Sequence, residues 1–419
     1  MPPTPSQTPL PTIKLSPRGA TRLKSGHVWV YKSDIVTANN APPGSLVQVT
    51  DHRGQPLGSA LYSSSSQIAI RLISHEPVPD LTKLLRERIA QAVAYRERVV
   101  HNMSRDTDAY RIIFSEADFL PGLIVDRYND ILSLQILTQA MDADIVRQTL
   151  ISELSERLRP ASIVERVDAK IRQLEELTPR ASGLLQGEKS STIFAMNGVQ
   201  FHFDALAGQK TGAFLDQREN YAAAAQYAHG DALDLFCYQG GFALHLAPRC
   251  SHIAGVDSSR PALEVADQNA ALNASRSDAS DSNASGPEAS EFHKIEWIEA
   301  NVFDLLKDYS SSGQRYDTII LDPPAFAKGK KELDAAMRGY KELNLRALKM
   351  LRPGGILVTC SCSYHVSQAD FVEMLASAAQ DARRILRLVE MRAQSKDHPI
   401  LLNVPETAYL KCVIGIVSN

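Results

Sequence analysis

The residues best suited to chemistry stand at the ends of apolar runs in the C-terminal half of the chain. One run, Tyr316-Asp-Thr-Ile-Ile-Leu321, leads straight into Asp322-Pro-Pro-Ala-Phe326. Two prolines in a row lack N–H donors and fix φ, so they stiffen the loop that follows the run. Such a loop pins Asp322 where its carboxylate can hydrogen-bond the Watson–Crick edge of a planar base, while Phe326 stacks on the face. A second run, Gly355-Ile-Leu-Val-Thr359, continues into Cys-Ser-Cys-Ser-Tyr364. Cys360 and Cys362 are two apart, and on an extended chain they face the same way. They are poor disulfide partners, and with no matching ligand cluster they make no zinc site; no metal is expected. A thiol opposite a base-binding carboxylate suits one reaction well. Cytosine C5 is a poor nucleophile, but thiolate addition at C6 turns the ring into an enamine whose C5 can accept a methyl group. Loss of the C5 proton and elimination of the thiol then free the product. This needs an accessible thiolate. The plainer uses of the same residues are a turn carboxylate capping backbone N–H groups and a small core cysteine.

The methyl donor has its own signature. Ala232-Leu-Asp-Leu-Phe236 is followed by Cys-Tyr-Gln-Gly-Gly-Phe242 and a helical Ala243-Leu-His-Leu-Ala247. A turn carrying Gly240 and Gly241 lets the backbone approach a ligand at the carboxyl end of a strand, where open α/β sheets bind. The turn departs from the Gly-x-Gly-x-x-Gly pattern, so a pyrophosphate is a poor fit. Asp234 can face a cationic ligand across the turn bearing Phe236 and Tyr238. Asp257, about 20 residues on at the end of the next run, stands where a ribose diol would be bonded. Asn301, after the third run, can reach an adenine edge. Ribose, adenine and a positive charge without phosphate describe S-adenosylmethionine.

Three units must hold these groups. Residues 12–76 contain short β-type runs (28–31, 46–49, 56–62, 68–73) broken by Gly26, Pro42-Pro-Gly44 and Arg53-Gly54, the pattern of a small, mostly β barrel. Within it Lys14, Arg18, Arg22, Lys24, Lys32, Arg53 and Arg71 face only Asp34 and Asp51. That local basic excess is a candidate RNA footprint, with solvated surface charge as the simpler reading. Residues 77–203 read as a small central α+β unit: a helix at about 81–101, β runs at 110–114, 122–125 and 131–137, and a helix near 142–158 ended by Pro160. From 204 to 419 strands and helices alternate, which argues for a parallel sheet covered on both faces. Residues 273–290, rich in Ser and Ala, have little to bury and are expected to be a surface insertion. The opening residues 1–11 read as a disordered tail.

Composition narrows the class further. The chain has 419 residues, 44% hydrophobic, with a formal net charge of −3, so bulk positive charge does not hold it to nucleic acid, although a local basic face still can. It has no apolar stretch of about 18 residues and no signal-peptide pattern, so no membrane association is expected. Five cysteines form no disulfide framework, and the simplest expectation is a cytoplasmic protein with reduced thiols.

Several motifs resemble one family closely. Lys14-Leu, Arg22-Leu and Gly26-His-Val-Trp-Val-Tyr31 look like the opening of a PUA domain. Glu116-Ala-Asp-Phe-Leu-Pro-Gly-Leu-Ile-Val-Asp-Arg127 looks like a central motif, and Asp397-His-Pro399 with Tyr409-Leu-Lys411 like a C-terminal one. The most specific is Lys210-Thr-Gly-Ala-Phe-Leu-Asp-Gln-Arg218. Together they resemble the large-subunit ribosomal RNA methyltransferases of the RlmI type over nearly the whole chain. The resemblance implies a PUA barrel, a small central α+β domain and a class I S-adenosylmethionine-dependent methyltransferase domain of Rossmann-like α/β fold. It also implies cytosine-5 methylation of 23S ribosomal RNA, free or in an assembling large subunit. It favours Cys362 over Cys360 as nucleophile. It adds Lys210, Phe214, Asp216 and Arg218 to Asp234, Phe236, Tyr238, Gly240, Asp257 and Asn301 around the cofactor. The RNA contacts are expected at Lys14, Arg18, Arg22, Lys24 and Phe326, and two copies of the chain can associate. Two other functions fit the same residues: methylation of guanine or of a ring or exocyclic nitrogen without a covalent step, and a non-catalytic RNA-binding factor in ribosome assembly.

Overall fold

Short β-branched runs and an alternating α/β half build two compact units. The computed structural model describes residues 9–206, 213–280, 291–327 and 329–419. The first unit takes the described parts of 1–192, 204–212 and 397–407; the second takes 193–203, 213–396 and 408–419. Two segments thus depart from a simple division at residue 203. The hairpin of Ser191–Met196 with Val199–Asp204 belongs mostly to the second unit. Its Phe201 ring lies 5.5 Å from that of Phe194 and 6.0 Å from that of His245. Residues 397–407, late in the chain, belong to the first unit, where Val404 is fully buried in the barrel core.

In the first unit, residues 12–74 form a six-stranded sheet. Its order is Trp29–Tyr31, Ile68–Ser74, Pro56–Tyr62, Leu46–Thr50, Thr12–Leu15 and Ile35–Thr37. Alternation in Thr12–Leu15 and Leu46–Thr50 sends Ile13, Leu15, Val47 and Val49 into the core. Two short strands and the helix Pro17–Lys24 add to what periodicity indicates; Ser16 caps that helix by accepting from Gly19 N. The central part follows as a five-stranded sheet, with the helices Leu81–Arg96 and Asp144–Leu158 packed on it.

The second unit positions the candidate site. Its strands are β1 (Gly230–Leu235), β2 (Cys250–Asp257), β3 (Ile295–Glu299), β4 (Tyr316–Leu321), β5 (Leu351–Ser361), β6 (Ile385–Arg392) and β7 (Lys411–Ser418). The sheet order is 3-2-1-4-5-7-6. All neighbours from β3 to β5 are parallel and β7 is antiparallel to both β5 and β6. The order reverses between β1 and β4, which opens a crevice at their carboxyl ends. Helices α1 (Arg218–Tyr227), α2 (Gly241–Leu246), α3 (Arg260–Ser280), α4 (Val302–Ser312), α5 (Leu333–Met350) and α6 (Gln368–Ala382) accompany these strands. Leu233, Leu235, Ile319, Ile320 and Leu321 are fully buried, because covered parallel strands are apolar on both faces.

One boundary needs correcting. The expected insertion at 273–290 begins too early, since α3 runs on to Ser280. Asn273 and Ala274 are buried, and Asn273 pairs with both the N–H and the carbonyl of Gln200. An asparagine and an alanine in a serine-rich stretch carry no periodic signal, yet the neighbouring hairpin supplies their partners. Residues 281–290 and 1–8 of the expected insertion and tail lie outside the described residues.

Candidate functional site: a methyl-donor cleft beside a thiol

The turn after β1 is shaped by backbone conformations few side chains favour. Phe236 (φ 66°), Tyr238 (φ 49°) and Gly240 (φ 84°) are all left-handed, and α2 starts immediately after them. Gly240 is required: a Cβ there would lie 2.8 Å from the Trp297 ring. Asp234, fully buried at the end of β1, accepts from Ala243 N in the first turn of α2 at 2.9 Å through Oδ2. Its Oδ1 is buried with no hydrogen-bond partner among the described residues. Burial raises the carboxyl from its ordinary value to about 7, opposed by the Ala243 N–H and assisted by the nearby Asp257.

Asp257, ending β2, holds the same turn from the other side. It accepts from Tyr238 N and from Ser259 N, each at 2.9 Å. A cleft of about 370 Å³ lies over these residues, lined among others by Phe214, Phe236, Tyr238, Phe242 and Asp322. The Phe214 ring meets Tyr238 edge-on at 5.2 Å. Asp216 accepts from the Tyr409 hydroxyl at 2.6 Å, while Ser395 binds its carbonyl. Arg218 is buried at the start of α1, beside Glu219 at 3.5 Å; it stands inside the fold and not on the cleft wall. Lys210 lies outside the described residues. Asn301 corrects the expected adenine contact: its Oδ1 caps α4, accepting from Phe303 N and Asp304 N. An asparagine preceding a helix finds orphan N–H groups closer than any ligand.

At the other side of the crevice Asp322 follows β4, half-buried, and accepts from Gln217 Nε2 at 3.0 Å. Gln217 is itself held by Asn220 at 2.6 Å. Burial, then the charges of Asp216 and Asp234, push the Asp322 carboxyl up to about 8. Phe326 does not stand free as a stacking platform. Its ring packs 4.7 Å from Tyr340 and 5.9 Å from Phe303, because the aromatic neighbours on α5 and α4 compete for its faces.

The two cysteines do not face the same way. Cys360, inside β5, is fully buried and lies directly opposite Cys412 on β7. Strand β5 ends at Ser361, so side-chain alternation stops before Cys362. Cys362 is half-buried, and its Sγ points at the Pro323 carbonyl oxygen 4.0 Å away. Its thiol is pushed up to about 12 by burial, then by Asp322 and Asp216, with Lys411 acting in the opposite sense. The buried hydroxyl of Ser363 receives Ala327 N at 3.2 Å and meets the Tyr340 hydroxyl at 2.9 Å, tying the two loops together. Gln217, Ser363, Tyr409 and Lys411 stand in the quoted sequence motifs, but only their tertiary partners give them roles.

The basic residues of the first unit are partly spoken for. Arg18 pairs with buried Asp34 at 2.7 Å and Lys24 with buried Asp51 at 3.1 Å. Arg71 is buried between Glu116 and Glu175. Arg22 lies 4.7 Å over the Tyr31 ring. The sequence excess of positive charge is therefore narrower on the folded surface, where acidic partners from other segments neutralise it.

The sheet order and the two carboxylates at the ends of β1 and β2 define an S-adenosylmethionine-dependent methyltransferase. The profile of that family matches residues 157–414, and a PUA-like domain profile matches 13–75. The chain belongs to this family, and within it to the group of Ribosomal RNA large subunit methyltransferase I. The relative of that name from Shewanella denitrificans is 37% identical over 412 residues, covering 97% of this chain and 99% of its own. Another, from Tolumonas auensis, is 36% identical over 410 residues, covering 96% and 98%. Among solved structures, a methyltransferase complexed with SAH matches with a TM-score of 0.78, covering 97% of this chain and 100% of that one. A methyltransferase from Streptococcus mutans gives 0.77 with the same coverage. Both are 18% identical and attest to the fold. The residues present fit the family's cofactor. A buried, unpartnered carboxylate oxygen of Asp234 awaits a cationic group, and aromatic walls suit a planar one. No described helix is long and apolar enough to cross a membrane.

Proposed function

We propose that this chain methylates C5 of a cytosine in large-subunit ribosomal RNA through a covalent bond between Cys362 Sγ and C6. The observation that carries this reading is the half-buried Cys362, its Sγ against the Pro323 carbonyl oxygen of the Asp322 loop. Cys360, the other thiol of the motif, is enclosed between β5 and β7. When bound, S-adenosylmethionine supplies the methyl group, with Asp234, Asp257, Phe214, Phe236 and Tyr238 holding it. Asp322, with a carboxyl raised to about 8, is protonated at neutral pH and can donate to N3 of the base. A hydrogen bond there draws electron density from the ring and makes C6 more open to thiolate attack. Addition of Sγ at C6 places electron density on C5; after the methyl group is taken up, loss of the C5 proton and departure of Sγ restore the aromatic ring. The Pro323-Pro324 loop, tied to Ser363 through Ala327 N, keeps carboxyl and thiol in register. Lys14, Arg22 and neighbouring basic residues of the barrel grip structured RNA through its backbone. Splaying a cytosine from its stack requires about a few kcal/mol.

A second reading has an observation of its own. With its thiol raised to about 12, Cys362 is neutral before substrate arrives, as a bystander would be if a nitrogen were methylated. Nucleoside mass spectrometry separates the two readings after incubating large-subunit RNA with isotopically labelled cofactor. Labelled 5-methylcytidine, lost in Cys362→Ser while cofactor binding persists, supports the covalent route. A labelled purine, or full activity in Cys362→Ser, overturns it. Cofactor binding with no transfer to any RNA would mark a non-catalytic assembly factor.

A further inference from the structure

Lys411 opens β7, opposite Ser361 in the β5–β7 ladder, and its side chain runs inward toward the loop that carries Cys362. Its ammonium donates to the Ser363 carbonyl at 2.6 Å and to the Tyr409 carbonyl at 2.8 Å. The residue is 8% exposed. A buried ammonium is expensive without an anionic partner, yet both its printed acceptors are neutral carbonyls. The anion it can serve is the one formed on Cys362, the residue preceding Ser363. The same ammonium closes a frame around the site, because Tyr409 also donates to Asp216 across the cleft.

We propose that Lys411 is the positioning residue for the Cys362 thiolate, clamping the Cys362–Ser363 segment through the Ser363 carbonyl and supplying the counter-charge for the sulfur. The inference rests on Cys362 as the nucleophile, though its first test reads the thiol itself and not turnover. The groups that face Cys362 are Asp322 after β4, Asp216 before α1, Tyr340 on α5 and Lys411 on β7. The two carboxylates oppose the thiolate and Lys411 favours it. Burial lowers the Lys411 ammonium to about 8. Below that pH its charge assists the thiolate, and above it the assistance fades.

The experiment follows iodoacetamide alkylation of Cys362 in the full-length protein from pH 7 to 9, with the modified peptide quantified by mass spectrometry. The proteins are wild type, Lys411→Met and Lys411→Arg, with cofactor binding as the check on folding. In wild type the logarithm of the rate should rise with pH by less than a unit slope, since the helping charge is lost over the same range. Lys411→Met should react about tenfold more slowly at pH 7, the equivalent of one pKa unit, and follow a unit slope. Lys411→Arg, whose charge persists, should keep the fast rate with a unit slope. Superimposable profiles in wild type and Lys411→Met would overturn the proposal, as would Lys411→Arg behaving like Lys411→Met. If Lys411→Met does not bind cofactor, the Lys411→Arg slope against wild type decides. Methyl transfer should show kcat falling in Lys411→Met more than KM rises. Should Cys362→Ser retain full activity, the covalent reading fails on its own, whatever the alkylation profiles show.

Discussion

Cys360 and Cys362 are separated by a single serine, yet the first is sealed opposite Cys412 while the second opens toward the Pro323 carbonyl oxygen. The end of β5 at Ser361 makes the difference. Strand pairing holds Cys360 in the ladder, and release from pairing turns Cys362 out of it. This assigns the two thiols different consequences on substitution. Cys360→Ala should lower stability by about 1 kcal/mol and leave methyl transfer close to wild type, read by denaturant melts and a transfer assay. Loss of transfer at unchanged stability would contradict the division of roles.

Asp234 gives a dependence on pH whose sign is fixed by its burial. The unfolded carboxyl titrates near 3.8 and the folded one near 7, so the folded chain binds this proton more tightly. The stability it contributes is complete below about pH 4 and is lost as the pH rises toward about 7. In the ligand-free protein, Asp234→Asn should therefore gain on wild type in melting temperature between pH 5 and 7, then hold a steady gap. The same variant should bind S-adenosylmethionine more weakly, since its neutral amide offers a cation less. Melts over a pH series and titration calorimetry test both. A gap independent of pH would show that the carboxylate is not strained by burial.

Gly240 links the turn to the cofactor cleft through packing. Alanine there must adopt φ near 84° with its Cβ 2.8 Å from the Trp297 ring. Left-handed strain alone is about 1 kcal/mol, and the clash adds to it, so Gly240→Ala should destabilise the fold by about 1–3 kcal/mol. Cofactor affinity should fall with it, because Tyr238 N and Ala243 N are held by carboxylates on either side of this residue. Unchanged melting and unchanged affinity would mean the turn relaxes freely.

The barrel offers a test by salt. Arg18 and Lys24 already have carboxylate partners, whereas Lys14 and Arg22 form no ion pair among the described residues. Replacing Lys14 or Arg22 with alanine should weaken RNA binding and lower the salt slope by about one phosphate contact each. Arg18→Ala and Lys24→Ala should have smaller effects. Filter binding across a salt series distinguishes them, and equal slopes for all four would mean that the ion pairs open on binding.

The alternation of strands and helices after residue 204 was legible as a parallel sheet, since apolar runs such as Tyr316–Leu321 are buried on both faces and need no partner identity to be read. The Asp234–Phe242 turn and the Asp322-Pro-Pro loop were legible for a related reason: glycine and proline act on the backbone wherever they stand. Asn301 and Phe326 were read as ligand contacts because residue type alone does not reveal a nearer claimant. In the fold α4's free N–H groups take the first, and Tyr340 with Phe303 take the second.

By itself, then, the amino-acid order determined the α/β class, the cofactor turn and a short set of candidate thiols and carboxylates, all of which depend on local periodicity and backbone restriction. Only the tertiary structure decided which thiol is accessible, which basic residues remain unpaired and why a lysine lies buried beside a cysteine. Those outcomes depend on burial and charge, which are set by neighbours brought from distant segments: Cys412 against Cys360, Asp34 against Arg18, and Lys411 against Ser363.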